Sequence, residues 1–176
     1  MATINWALDA AHSELQFKVK HMMISHVTGS FTKFEATVTT EESDFTTAKI
    51  SFAADVNSIN TANEQRDGHL KSPDFFDAAN FPKIIFEGTK MEKISDEDYK
   101  LHGNLTMHGV THAVVLNANY GGTSKDPWGM TRCGFSLEGK VNRKDFGLVW
   151  NAVLETGGVA VSEEVKIYAN VEFVKG

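Results

Sequence analysis

Apolar residues recur at every second position in segment after segment of this chain, and no long stretch shows the 3.6-residue period of an amphipathic helix. Leu15, Phe17 and Val19 point one way while Glu14, Gln16, Lys18 and Lys20 point the other, as in a half-buried strand. The same alternation marks Ile4 to Leu8, Phe34 to Val38, Ile50 to Val56, Ile84 to Gly88, Leu101 to Met107, Val114 to Tyr120, Cys133 to Val141 and Val165 to Phe173, about nine strands in all. Phe31 stands one residue out of phase with Phe34, Ala36 and Val38, which predicts a bulge near Thr32 and Lys33. Without helices to serve as crossovers, antiparallel hairpins are favoured over parallel βαβ units. Such a sequence closes into a barrel or folds as a sandwich.

The connections agree. Met107-His-Gly-Val-Thr-His112 joins two alternating runs and reads as a hairpin loop. Tyr120 to Gly129 is a longer polar connection, and Val153 to Ser162, centred on Gly157-Gly158, is another. No linker, low-complexity tract or internal repeat divides the chain, so residues 1–176 read as one domain.

Twelve phenylalanines in 176 residues are many; they fill a β core or line a cavity. Small residues (Ala54, Gly88, Gly103, Ala118, Gly139, Ala169) sit between large apolar neighbours on the same strand face. They either leave volume inside a barrel, enough for one ligand in a barrel of about eight strands, or mark bends. The net charge of −6, with lysines and arginines scattered, gives no footprint for nucleic acid. The single cysteine, Cys133, lies in an alternating run and reads as a buried structural thiol. No run approaches the roughly 18 apolar residues of a membrane span. The N-terminus shows no secretory signal, which places the chain in the cytoplasm as written, or in the periplasm if a signal peptide has been cleaved.

One segment breaks the β pattern. Between Asp55 and Asp77 the chain carries two short helix signals and ends on Phe75-Phe76. Thr61-Ala-Asn-Glu64 has the form of a capping box with Thr61 as N-cap. Ser72-Pro73 starts a second short turn. Asn63, Arg66 and Leu70 share a face of the first helix with His69 at its flank. Arg66 and His69, with His21, are candidates for contacting an anionic head group at a cavity mouth; the alternative is that Arg66 pairs with Asp67 or Glu64. Loops of this kind on a β framework carry function more often than packing.

The common catalytic and nucleotide-binding signatures are absent from the sequence. The histidines invite a metal reading, yet His102 and His108 on one strand would stand about 20 Å apart, at roughly 3.3 Å per residue. His108 and His112 approach across their hairpin, but two ligands do not make a site. Asp9, His12 and Ser13 form a hydrolytic trio only on paper, since adjacent strand residues face opposite ways. No catalytic residue, metal or cofactor is expected. The rival reading is an enzyme acting on a lipid or small polar substrate through His21, His69 or His108. Arg143 and Asp145, two apart in an extended segment, are expected to pair, with Phe146 and Trp150 on the other side.

Together, Trp6-x-Leu-Asp-x-x-His-Ser13, Phe17-Lys-Val-Lys-His21, Val27-x-Gly-x-Phe31, Ser58-Ile-Asn-Thr61, Arg66-Asp-x-His-Leu-Lys-Ser-x-Asp-Phe-Phe-Asp77, Phe81-Pro82-x-Ile84-x-Phe86, Gly103-x-Leu-Thr-x-His-Gly-Val-Thr111 and Arg143-x-Asp-Phe-Gly147 resemble the YceI family of lipocalin-like lipid-binding proteins. The resemblance spans nearly the whole chain. It implies an all-β, antiparallel lipocalin-like barrel with a short helical insert around residues 61–78. It also implies a hydrophobic lumen for a polyisoprenoid, quinone-like or fatty-acyl chain, no catalysis, and a homodimer. Phe17, Phe31, Phe52, Phe86, Leu105 and Phe135 are then candidates for the lumen wall, with Phe75 and Phe76 near its mouth. The expected role is carriage or sequestration of an apolar lipid.

Overall fold

A computed structural model describes residues 2–22, 24–151 and 161–176. Eleven strands are present among them: β1 (Thr3–Leu8), β2 (Glu14–His21), β3 (Ser25–Phe31), β4 (Phe34–Glu41), β5 (Asp44–Asp55), β6 (Ile59–Asn60), β7 (Lys83–Lys93), β8 (Asp98–Met107), β9 (Val110–Lys125), β10 (Thr131–Asn142) and β11 (Val161–Lys175). All pair antiparallel in one sheet. The one α-helix among the described residues, α1, covers Glu64–Lys71.

The sheet closes into an eight-stranded antiparallel barrel, as expected. β1 and β2 form one broken line along β11: Trp6 to Leu8 pair with Lys175 to Phe173, and Glu14 to Val19 pair with Asn170 to Val165. The 3-10 turn Ala10–His12 makes the break, capped by Asp9, whose side chain accepts from the Ala11 amide. β3 and β4 form the next broken line, interrupted at Thr32 and Lys33, where the phase change of Phe31 predicted a bulge. From there around to β11 each line hydrogen-bonds to the next in chain order, and the pairings of β11 with both β1 and β2 close the barrel.

Turn chemistry sets the hairpins. Met107 pairs with Val110, leaving the two-residue turn His108-Gly109 with φ of 55° and 73°, the backbone that a type I′ hairpin requires. The Tyr120–Gly129 connection proves shorter than expected, because β9 continues through the polar residues up to Lys125. The register slips between Gly134 and Phe135, whose partners on β9 are Gly122 and Tyr120, so Gly121 is the extra residue of a bulge. The Val153–Ser162 connection lies largely outside the described residues.

Two local expectations fail. The N-cap of α1 is Asn63, whose side chain accepts from the Arg66 amide at 3.0 Å. Thr61 is instead buried in front of the helix, where its amide and hydroxyl both donate to Asp67 Oδ1. Asparagine competes with threonine for this position, and here it prevails. Nor do five of the six small inward residues border empty volume. A Cβ on Gly103 would lie 2.4 Å from Phe86 Cζ, and one on Gly139 would lie 2.4 Å from Leu116 Cδ2. Large side chains lie across these glycines, and of the six small residues only Ala169 lines the cavity described next.

Candidate functional site: an apolar lumen

A cavity of about 240 Å³ runs inside the barrel. All eight apolar candidates (Phe17, Phe31, Phe52, Phe75, Phe76, Phe86, Leu105 and Phe135) line it, because each sits on the inward phase of its strand or on the insert that covers one end. Phe31 ties the wall to the insert: its ring meets Phe17 at 5.6 Å and stands edge-on to Phe76 at 6.2 Å. At the other end Phe45 gathers Trp6, Tyr120 and Phe135 within 5.1–5.7 Å. Trp6 also faces the cavity, and its indole N–H donates to Thr40 Oγ1 at 3.1 Å, so its one polar atom is satisfied within the wall. Cys133 lines the same space, and burial pushes its thiol up to about 12. It is a packing group, as its place in the alternation predicts.

The polar candidates stand outside this space. Arg66 is exposed and turned onto the chain before α1, donating from Nε to Thr61 Oγ1 (2.8 Å) and from Nη2 to the Thr61 carbonyl (2.7 Å). It pairs with neither Asp67 nor Glu64. His69 meets Asp74 at 3.0 Å and lies edge-on to Phe75 (5.1 Å) and Trp150 (4.8 Å), backing the lumen wall without entering it. His21 is exposed at the end of β2.

The remaining histidines are spread over the molecule. His108 Nδ1 lies 3.1 Å from the Phe146 carbonyl and His112 Nε2 lies 2.8 Å from that of Asp145. A carbonyl only accepts, so each of these ring nitrogens carries a proton and donates. The two rings fasten the β8–β9 hairpin to the segment after β10. His12 meets Asp9 at 2.7 Å, while the Ser13 hydroxyl donates to the Asp9 carbonyl and accepts from the Glu172 amide. The Ser13 hydroxyl is therefore committed on both sides, and neither of its hydrogen bonds goes to His12. The reason differs from the one expected, since His12 belongs to a 3-10 turn rather than a strand. Asp9, His12 and Glu172 are close enough to hold a cation, but Arg132 Nη1 already sits 2.6 Å from Asp9 and 2.8 Å from Glu172.

The expected Arg143–Asp145 pair does not form. Arg143–Phe146 is a 3-10 turn, so residues two apart do not share a side, and Asp145 is exposed. Phe146 is buried against His112, whereas Trp150 packs on His69 and Phe75. Arg143 is itself buried and lines the lumen. The sequence carried a signal for this: Cys133, Phe135, Leu137, Gly139 and Val141 alternate inward, and Arg143 is next in phase.

A closed antiparallel barrel around a ring-lined lumen, capped at one end by a helix-bearing insert, defines a lipocalin-like class of protein. The chain belongs to the YceI family: the family model, described as a YceI-like domain, matches residues 6–173. A UPF0312 protein of Staphylococcus aureus (strain N315) is 42% identical over 170 residues, 96% of each chain. The crystal structure of a Campylobacter jejuni YCEI protein is 34% identical and superposes with a TM-score of 0.77 over 88% of both chains. Burkholderia cenocepacia BcnA (21% identity, TM-score 0.81, 94% of this chain and 98% of that one) has the same fold. So does a domain from Saccharophagus degradans described as polyisoprenoid-binding (16% identity, TM-score 0.72, covering 97% and 98%).

Proposed function

We propose that the protein binds a long apolar lipid in its lumen, an isoprenoid before a quinone-like or fatty-acyl chain, and carries or sequesters it without altering it. The observation that carries this reading is the wall itself: rings and aliphatic side chains from nearly every strand face one continuous space. Each methylene removed from water contributes about 0.8 kcal/mol, so length alone supplies affinity. Family membership and the described ligand of the Saccharophagus domain support the same class of ligand. No histidine is among the residues lining the cavity, which favours binding over chemistry. The cavity lies below the roughly 300–1,000 Å³ of typical ligand pockets. A long chain must therefore part the phenylalanine rings or leave one end outside.

The test uses protein stripped of lipid by solvent extraction and titrated with farnesol and hexadecanol. Trp6 reports from inside the wall, so uptake should change its emission while leaving that of a Trp6→Phe variant largely unmoved. Absence of saturable uptake of either chain, with no lipid co-purifying under native mass spectrometry, would refute lipid binding.

A further inference from the structure

Two arginines bracket β10 and differ in everything but type. Arg132 faces outward and meets three carboxylates, Asp9, Asp126 and Glu172, at 2.6–2.8 Å. Arg143 faces inward, is 3% exposed, and meets none among the described residues. All its hydrogen bonds go to backbone carbonyls: Nε to Ser162 (2.8 Å), Nη1 to Leu148 (2.7 Å) and Trp150 (2.8 Å), and Nη2 to Val161 (3.2 Å). Carbonyl oxygens satisfy donors without neutralising a charge. A guanidinium offers five N–H groups, so these bonds leave one, on Nη2, without a partner among the described residues.

Buried charges are ordinarily paired. Burial pulls the Arg143 pKa down, and Glu163, the acid among the described residues that acts on it, is itself held by Lys144 at 2.8 Å. Arg143 reaches the lumen wall with its carbon stem, and the guanidinium sits behind that wall, in surroundings where an opposite charge acts more strongly than in water. We propose that the lumen takes a long apolar chain ending in an anion, a carboxylate or a phosphate monoester, and that Arg143 holds that end. This rests on the lipid-binding reading and narrows it to acidic lipids. The terminus would take the spare N–H in a charge-assisted hydrogen bond.

The experiment uses the delipidated full chain, with 1-(N-phenyl)naphthylamine as a fluorescent apolar probe displaced by matched pairs: palmitate against hexadecanol, and farnesyl monophosphate against farnesol. At neutral pH the anion of at least one pair should displace the probe at about tenfold lower concentration than its alcohol, corresponding to 1.4 kcal/mol. The pair with the larger ratio identifies carboxylate or phosphate as the preferred terminus. In Arg143→Met the ratio should fall to within about twofold. Equal displacement within both pairs by the wild-type protein overturns the anion proposal alone, whereas failure of all four ligands overturns lipid binding as well. A preference that survives in Arg143→Met places the anion elsewhere and also overturns it. Because Arg143 ties four carbonyls together, the methionine variant can fail to fold; the wild-type ratio then decides, with Arg143→Lys expected to keep a reduced preference.

Discussion

The ring of Phe86 lies across Gly103, so that a Cβ on Gly103 would stand 2.4 Å from Phe86 Cζ and 2.6 Å from the Glu87 carbonyl oxygen. Phe17 covers Gly29 in the same way, with 2.2 Å to its Cζ. These glycines are the floor on which the rings of the lumen rest. The two positions differ in what can give way.

At Gly103 a backbone carbonyl blocks the new methyl as well as the ring, and neither yields without moving strands. Gly103→Ala should therefore destabilise the fold by about 1–3 kcal/mol, read as a lower denaturation midpoint with an unchanged slope in urea. At Gly29 only the far end of the Phe17 side chain is in the way. Gly29→Ala should tip that ring into the lumen and weaken uptake of apolar chains more than it lowers stability.

Phe76 lines the cavity and stands edge-on to Phe31, joining the insert to the barrel wall. Phe76→Ala should speed release of a bound chain, measured by stopped-flow displacement. Its stability cost should fall below the roughly 3–5 kcal/mol of a fully buried phenylalanine, since Phe76 is only half-buried.

Arg132, helped by His12, holds the Asp9 carboxyl at about 2, below its ordinary 3.8. A carboxylate whose folded pKa is depressed contributes stability that is complete above its unfolded pKa and lost as pH falls through the folded one. The wild-type protein should thus lose stability between about pH 4 and pH 2. Arg132→Gln should be less stable at neutral pH, show a shallower fall across that window, and titrate Asp9 closer to its ordinary value by NMR.

Cys133, its thiol pushed up to about 12 by burial, should resist an aromatic disulfide reagent at pH 8 in the native protein. In denaturant it should react fully. Labelling of the native protein at the rate of a free thiol would show that the wall opens to solvent far more than its packing implies.

The barrel was legible because period-2 alternation is a direct consequence of strand geometry, and the lumen phenylalanines were legible for the same reason: phase alone places Phe17, Phe52, Phe86 and Phe135 on the inner side. What escaped depended on competition between neighbours. Thr61 and Asn63 both suit an N-cap, and nothing local decides that Asp67 will take the threonine. The glycines looked like room, because a sequence does not say which ring lies over which gap. Arg143 was in inward phase, but its charge and nearness to Asp145 suggested a surface pair; the 3-10 turn that separates the two is set by Asn142, whose side chain accepts from the Lys144 amide. Arg66 and His69 stood out for their charge on a helix face, yet Arg66 finds its partner in Thr61, ahead of the helix.

Every line of the barrel binds its neighbour in chain order except one. Trp6 meets Lys175 only when β1 and β11 join, across nearly the full sequence. During synthesis, at about 5–20 residues per second, the nascent chain can lay down successive hairpins but has no enclosed interior until Val161–Lys175 has left the ribosome. Until then the inner faces of the growing sheet stand open, and the lumen becomes an enclosed space only when this strand takes its place between β10 and the line of β1 and β2.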